Sequence, residues 1–122
     1  MPRVIHFEIP VDNPDRAVKF YSSVFGWKMD KWEGPQDYWL ITTGEETEAG
    51  INGAITKREG LVTSVTNTID VPALDEFVKK VVARGGKTMM PKTSVPGVGY
   101  MAYCRDTEGN LFGLMQADPS AK

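Results

Sequence analysis

Residues 4–26, VIHFEIPVDNPDRAVKFYSSVFG, decide the fold, because residues 62–86, VTSVTNTIDVPALDEFVKKVVARGG, repeat their plan. The offset is 60 positions. Ile9-Pro10-Val11 answers to Ile69-Asp70-Val71, Val18-Lys19 to Val78-Lys79, Gly26 to Gly86, and further on Gly53 to Gly113. The identities are few, but the order of elements is the same. A repeat of this kind states which positions are equivalent, and so where a site can form between copies.

Within the first stretch, residues 4–11 alternate with a period of two and read as a strand. Val4, His6 and Glu8 point one way; Ile5, Phe7, Ile9 and Val11 point the other, against a helix. Asn13-Pro14-Asp15 starts that helix: Asn caps, Pro fits the first turn, and Asp suits the positive end of the dipole. Ala17, Phe20, Tyr21, Val24 and Phe25 follow at helical spacing, and Gly26 stops it. Residues 27–32, 38–43 and 51–57 read as strands, broken at Gly34-Pro35 and across 44–50. The second half predicts a strand over 62–71 and a helix over 72–84, which Asp70 is placed to cap. Strands over 87–90, 99–105 and 111–116 follow. Asp106 to Asn110 forms a turn, and residues 118–122 read as a frayed tail.

Each half is thus βαβββ. The fold class is α+β: one domain over 1–122 of two modules, about 1–59 and about 60–118, forming a curved sheet around a cleft. Composition agrees with a globular chain, at 122 residues, 41% hydrophobic and 25% charged. The net charge of −2 argues against nucleic acid as a partner, since phosphate binding needs clustered Lys and Arg. No run approaches the ~18 apolar residues of a membrane span. One cysteine, Cys104, excludes an intrachain disulfide, and the start of the chain lacks a signal-peptide core. A cytoplasmic location is expected.

Several motifs carry a resemblance. They are the tandem βαβββ plan, Phe20-Tyr21 before Phe25-Gly26-Trp27, the run Pro91 to Tyr100, and Arg105-Asp106-Thr107-Glu108-Gly109-Asn110 before the last strand. Together they resemble the vicinal oxygen chelate superfamily of glyoxalases, bleomycin resistance proteins and extradiol dioxygenases, and within it a glyoxalase-like subgroup. The resemblance implies a divalent metal held by two groups from each module, on its first and last strands. Those positions are His6, Gly53, Thr66 and Gly113, of which only His6 is a ligand type. It also implies a homodimer.

The residues themselves offer two other readings of the His6 face. A histidine side chain can titrate near neutral pH, so His6 is a candidate ligand, base or hydrogen-bonded cavity residue. Glu8 lies on the same face, about 7 Å further along. Thr66, Thr68, Tyr100 and Met115 are expected to line the cleft and bind a ligand. Cys104 reads as an inert buried thiol. The expected function is binding of a small organic molecule with no cofactor. A glyoxalase-type lyase or isomerase using His6 and Glu8, with a divalent metal, is the alternative. A non-catalytic interaction module is the second alternative.

Overall fold

Asn13 does cap the first helix: its Oδ1 accepts the Arg16 N–H at 3.1 Å. Gly26 ends that helix in the left-handed region, at φ 71°, and its N–H donates to the Ser22 carbonyl. In this computed structural model, which describes residues 1–34 and 36–122, the chain is α+β. Its elements run β1 (Arg3–Val11), α1 (Pro14–Phe25), β2 (Lys28–Lys31), β3 (Tyr38–Thr42) and β4 (Asn52–Lys57). Then come β5 (Thr66–Asp70), α2 (Leu74–Ala83), β6 (Lys87–Val95), β7 (Gly99–Arg105) and β8 (Leu111–Ala117). This is the βαβββ plan twice. The break expected at Gly34-Pro35 falls partly on residue 35, outside the described residues.

The described residues pack as two compact units, His6–Thr66, and Asn67–Lys122 with Met1–Ile5. The repeat boundary near residues 59 and 60 lies within the first of these units. Residues 62–65 do not extend the fifth strand, which begins only at Thr66, and Val62 is buried.

In the N-terminal unit the strand order is β2-β3-β4-β1, with β1 parallel to β4 and the other pairs antiparallel. The register puts Phe7, Gly53 and Ile41 in one row and Ile9, Ile55 and Trp39 in the next. This is the side of α1: Phe7 meets Trp27, which stacks on Tyr21 and Phe25. Ile41 and Ile55 are fully buried there. Burying two such side chains contributes about 1.5–3 kcal/mol each.

In the C-terminal unit the order is β5-β8-β7-β6, again with the first and last strands parallel. Val71, Leu74, Ala102, Cys104 and Leu114 form its core, flanked by Phe77, Val78 and Val81 of α2.

Three local expectations are corrected here. Asp70 does not cap α2. Its N-cap residue, Ala73, has no side-chain bond, and the Leu74 N–H instead donates to Gln116 Oε1 on β8 at 2.8 Å. The strand expected to stop at Met90 continues to Val95. Register shifts between Thr88 and Met90, and between Met90 and Thr93, let it pass Pro91, which has no N–H to give the ladder. The tail is not frayed. Gly97 N–H donates to the Ala121 carbonyl, the Ser94 hydroxyl to the Lys122 carbonyl, and Ala121 is buried.

The turn at Asp106 matches its sequence signature. Its Oδ1 accepts the N–H groups of Glu108 and Asn110, and these bonds hold its carboxyl below the usual carboxylate range. Among the described residues no helix is long and apolar enough to cross a membrane.

Candidate functional site

The 60-residue offset holds for the first strand and helix of each repeat but slips by one at the last strand. Phe7 pairs with Gly53, whereas its repeat equivalent Asn67 pairs with Phe112. Gly113 therefore corresponds to Ala54, opposite Glu8, and not to Gly53. A slip of one residue moves a side chain to the other face of a sheet. Gly53 accordingly sits on the α1 side with Phe7, away from His6.

On the opposite face of the N-terminal unit, three polar side chains meet. His6 and Glu8 stand on β1, and Tyr38 opens β3. The strand between them, β4, carries Ala54 level with Glu8 and Leu40, a side chain short enough for the phenol to reach across. His6 Nε2 lies 2.7 Å from the Tyr38 hydroxyl, and the two rings are nearly parallel, 16° apart. Trp32 stands edge-on to Tyr38 at 6.0 Å, and its N–H donates to the Tyr38 carbonyl.

The electrostatics of this array follow from burial. Glu8 is only 5% exposed. The Tyr38 hydroxyl is pushed far above the usual phenol range by burial, then by the negative charge of Glu8 and a side-chain hydrogen bond to it. Burial likewise lowers His6 below the ordinary imidazole value of 6.5. Burial favours the neutral forms of both His6 and Tyr38.

Tyr38 was not marked as a site residue by the sequence, where it is one aromatic among several. Its alignment with His6 depends on register across β4, and no local pattern carries that.

The remaining expected site residues belong to β5, β7 and β8. Thr68, Gly113 and Tyr103 line up across β5, β8 and β7. Met115, two residues on, shares their face with Met101. Thr66 is fully buried, with its hydroxyl donating to the Ser64 carbonyl at 2.8 Å. Tyr100 is placed on the other face. It pairs with Gln116, packs against the α2 core, and lies under the Lys92 ammonium at 4.7 Å. Tyr103, three residues on, takes the position expected of Tyr100. Cys104 is buried in the core, and burial pushes its thiol up.

The residues present do not fit the metal that the superfamily implies. A divalent N/O site takes three or four protein ligands. Among the described residues no three His, Cys, Asp or Glu side chains gather to hold an ion. On the β4 segment facing His6 and Glu8 stand Asn52, whose Oδ1 accepts the Thr43 N–H, and Ala54.

Comparison with known proteins agrees with this architecture. The family model described as Glyoxalase/Bleomycin resistance protein/Dioxygenase superfamily matches residues 3–114. A glyoxylase-like domain-containing protein of Didymella fabae is 32% identical over 116 residues, covering 88% of this chain and 88% of that protein. A longer Mycobacterium bovis relative is 27% identical over 118 residues. That match covers 92% of this chain but 43% of the relative, so the chain spans less than half its length. Among solved structures, methylmalonyl-CoA epimerase from Mycobacterium tuberculosis superposes with a TM-score of 0.71 at 15% identity, covering 95% of this chain and 88% of that one. At that identity the likeness is one of fold, and one fold hosts many chemistries. With the βαβββ plan present twice and the match running from the first strand into the last, the chain belongs to the Glyoxalase/Bleomycin resistance protein/Dioxygenase superfamily.

Proposed function

We propose that this glyoxalase-like chain binds a small polar organic molecule at the His6–Tyr38–Glu8 array, without a resident metal. The observation that carries the reading is the 2.7 Å contact of His6 Nε2 with Tyr38, beside Glu8, which is 5% exposed. Small-molecule sites are largely apolar with a few convergent polar groups. Here Trp32 and Tyr38 supply flat apolar surface, and His6 and Glu8 supply polarity. The reading includes a homodimer, as the resemblance implies, and a cytoplasmic location, as the lone cysteine suggests.

Native mass spectrometry of untagged protein, dialysed in turn against Ni²⁺, Zn²⁺, Mn²⁺ and Fe²⁺, tests it. The expected result is a dimer without stoichiometric metal, with or without a co-purified organic mass. A stoichiometric metal lost in His6→Ala would overturn the reading in favour of the metal-dependent lyase or isomerase.

A further inference from the structure

Asp70 closes β5 and is left without a task when Gln116 caps α2 in its place. Its side chain is half-buried. No hydrogen bond or ion pair among the described residues engages its carboxylate, and the Met1 α-ammonium does not pair with it.

The bend after β5 places this carboxylate in a cavity. Pro72 has no N–H and disfavours helix at Val71, so α2 starts only at Leu74. The Val71 N–H donates to the Met115 carbonyl at 2.9 Å, and the Leu74 N–H to Gln116 Oε1 at 2.8 Å. These bonds and the buried Val71 side chain tie the bend to the end of β8, beside a cavity of about 260 Å³. Met1, Asp70, Val71, Pro72, Gln116 and Ala117 line it, and Asp70 is the one charged side chain among them. All six belong to the unit of Asn67–Lys122 with Met1–Ile5, and none is part of the His6 array. Gln116 commits its oxygen to Leu74, which fixes the orientation of its amide. Its Nε2 is then a donor with no acceptor among the described residues.

We propose that this cavity binds a small organic cation that also carries a hydrogen-bond acceptor, with its ammonium on Asp70 and its acceptor on Gln116 Nε2. An unpaired carboxylate attracts a cation and repels an anion, and the hydrogen bond it accepts from an ammonium is of the strong, charge-assisted kind. Val71, Pro72 and Ala117 supply an apolar wall for a short stem. The volume lies just under the roughly 300 Å³ at which ligand pockets commonly begin, which suits a molecule of few carbons. The bonded bend and the fixed amide form the site in advance, so little ordering is lost on binding. The proposal goes beyond the reading at His6 and is tested apart from it.

Four probes of similar length test it by nitrogen-15 NMR of the full chain. They are ethanolammonium, neutral ethylene glycol, the anion glycolate, and propylammonium, which lacks the oxygen. Ethanolammonium is expected to shift the Val71 and Ala117 amides and the Gln116 side-chain amide saturably. It should bind at least about tenfold more tightly than ethylene glycol or glycolate, because bonds to charged groups are the stronger ones. Propylammonium should fall between. Asp70→Asn removes the charge and no partner of the fold, so the ethanolammonium shifts should drop to the glycol level with the melting temperature unchanged.

No saturable shift from ethanolammonium would overturn the proposal and leave the reading at His6 untouched. Glycol or glycolate binding as tightly, shifts that survive Asp70→Asn, or shifts confined to the acidic segment 44–50 would overturn it too. Propylammonium binding as tightly as ethanolammonium would overturn the part assigned to Gln116. The ranking of the four probes on the wild type decides even where the variant does not fold.

Discussion

The ring of Phe7 occupies the space that a side chain at Gly53 would need. A Cβ at position 53 would stand 2.5 Å from two Phe7 ring carbons and from the Phe7 carbonyl oxygen. Close packing of β1 on β4 under α1 accounts for the glycine, which stands on the face of Phe7.

Gly53→Ala is therefore expected to destabilise the fold by about 1–3 kcal/mol, the usual cost of overpacking a filled core. Urea denaturation measures this directly. Gly113→Ala is the contrast, since its Cβ would meet the Thr68 hydroxyl at 2.9 Å and other side-chain atoms only at 3.5 Å. Its cost should be smaller, because a threonine side chain moves more readily than a backbone carbonyl. Equal costs would count against this account of Gly53.

Tyr38→Phe keeps the ring against Trp32 but removes the hydroxyl between His6 and Glu8. Leaving buried polar groups short of a partner costs about 1–3 kcal/mol. The same loss should appear in Glu8→Gln less strongly, since an amide still accepts. A neutral Tyr38→Phe in denaturant titration would show that the array is solvated and not a site.

The pH dependence has a definite sign. Burial lowers His6 below 6.5 in the folded protein, while the unfolded chain regains the ordinary value. Below 6.5 the unfolded state binds a proton that the folded state refuses, so stability is level above 6.5 and falls as pH drops from 6.5 toward the lower folded value. Subtracting the stability curve of His6→Gln isolates this component. A wild-type protein that gains stability on acidification relative to His6→Gln would contradict it.

Gln116 caps α2 from a neighbouring strand, accepting the Leu74 N–H at 2.8 Å. Gln116→Leu is expected to cost about 0.5–2 kcal/mol, the range for losing a helix cap, and to speed hydrogen exchange at the Leu74 amide. Gln116→Glu should retain the cap, because a carboxylate accepts the same bond and favours the positive end of the helix.

Much of the fold was legible from particular residues. The two-residue alternation over 4–11, the Asn13-Pro14 start, the Gly26 stop and the Asp106 turn each act within a few positions, and each takes its expected form. Less of the site was legible. His6 and Glu8 share a face of one strand by parity alone, and the structure keeps them together with Tyr38. Gly53 was placed by extending an offset across strands, and there the register decided otherwise; Tyr100 stands on the opposite face of β7 from the one facing Thr68 and Gly113.

By itself, then, the sequence determined the repeated βαβββ order and the caps and stops that bound its helices, because these come from short-range dihedral preferences and local hydrogen bonds. Only the tertiary structure decided the one-residue slip at the last strand, the passage of β6 beyond Pro91, the docking of the tail and the reach of Tyr38 over Ala54 to His6. These depend on packing between segments tens of residues apart, where one residue of register turns a side chain from one face to the other.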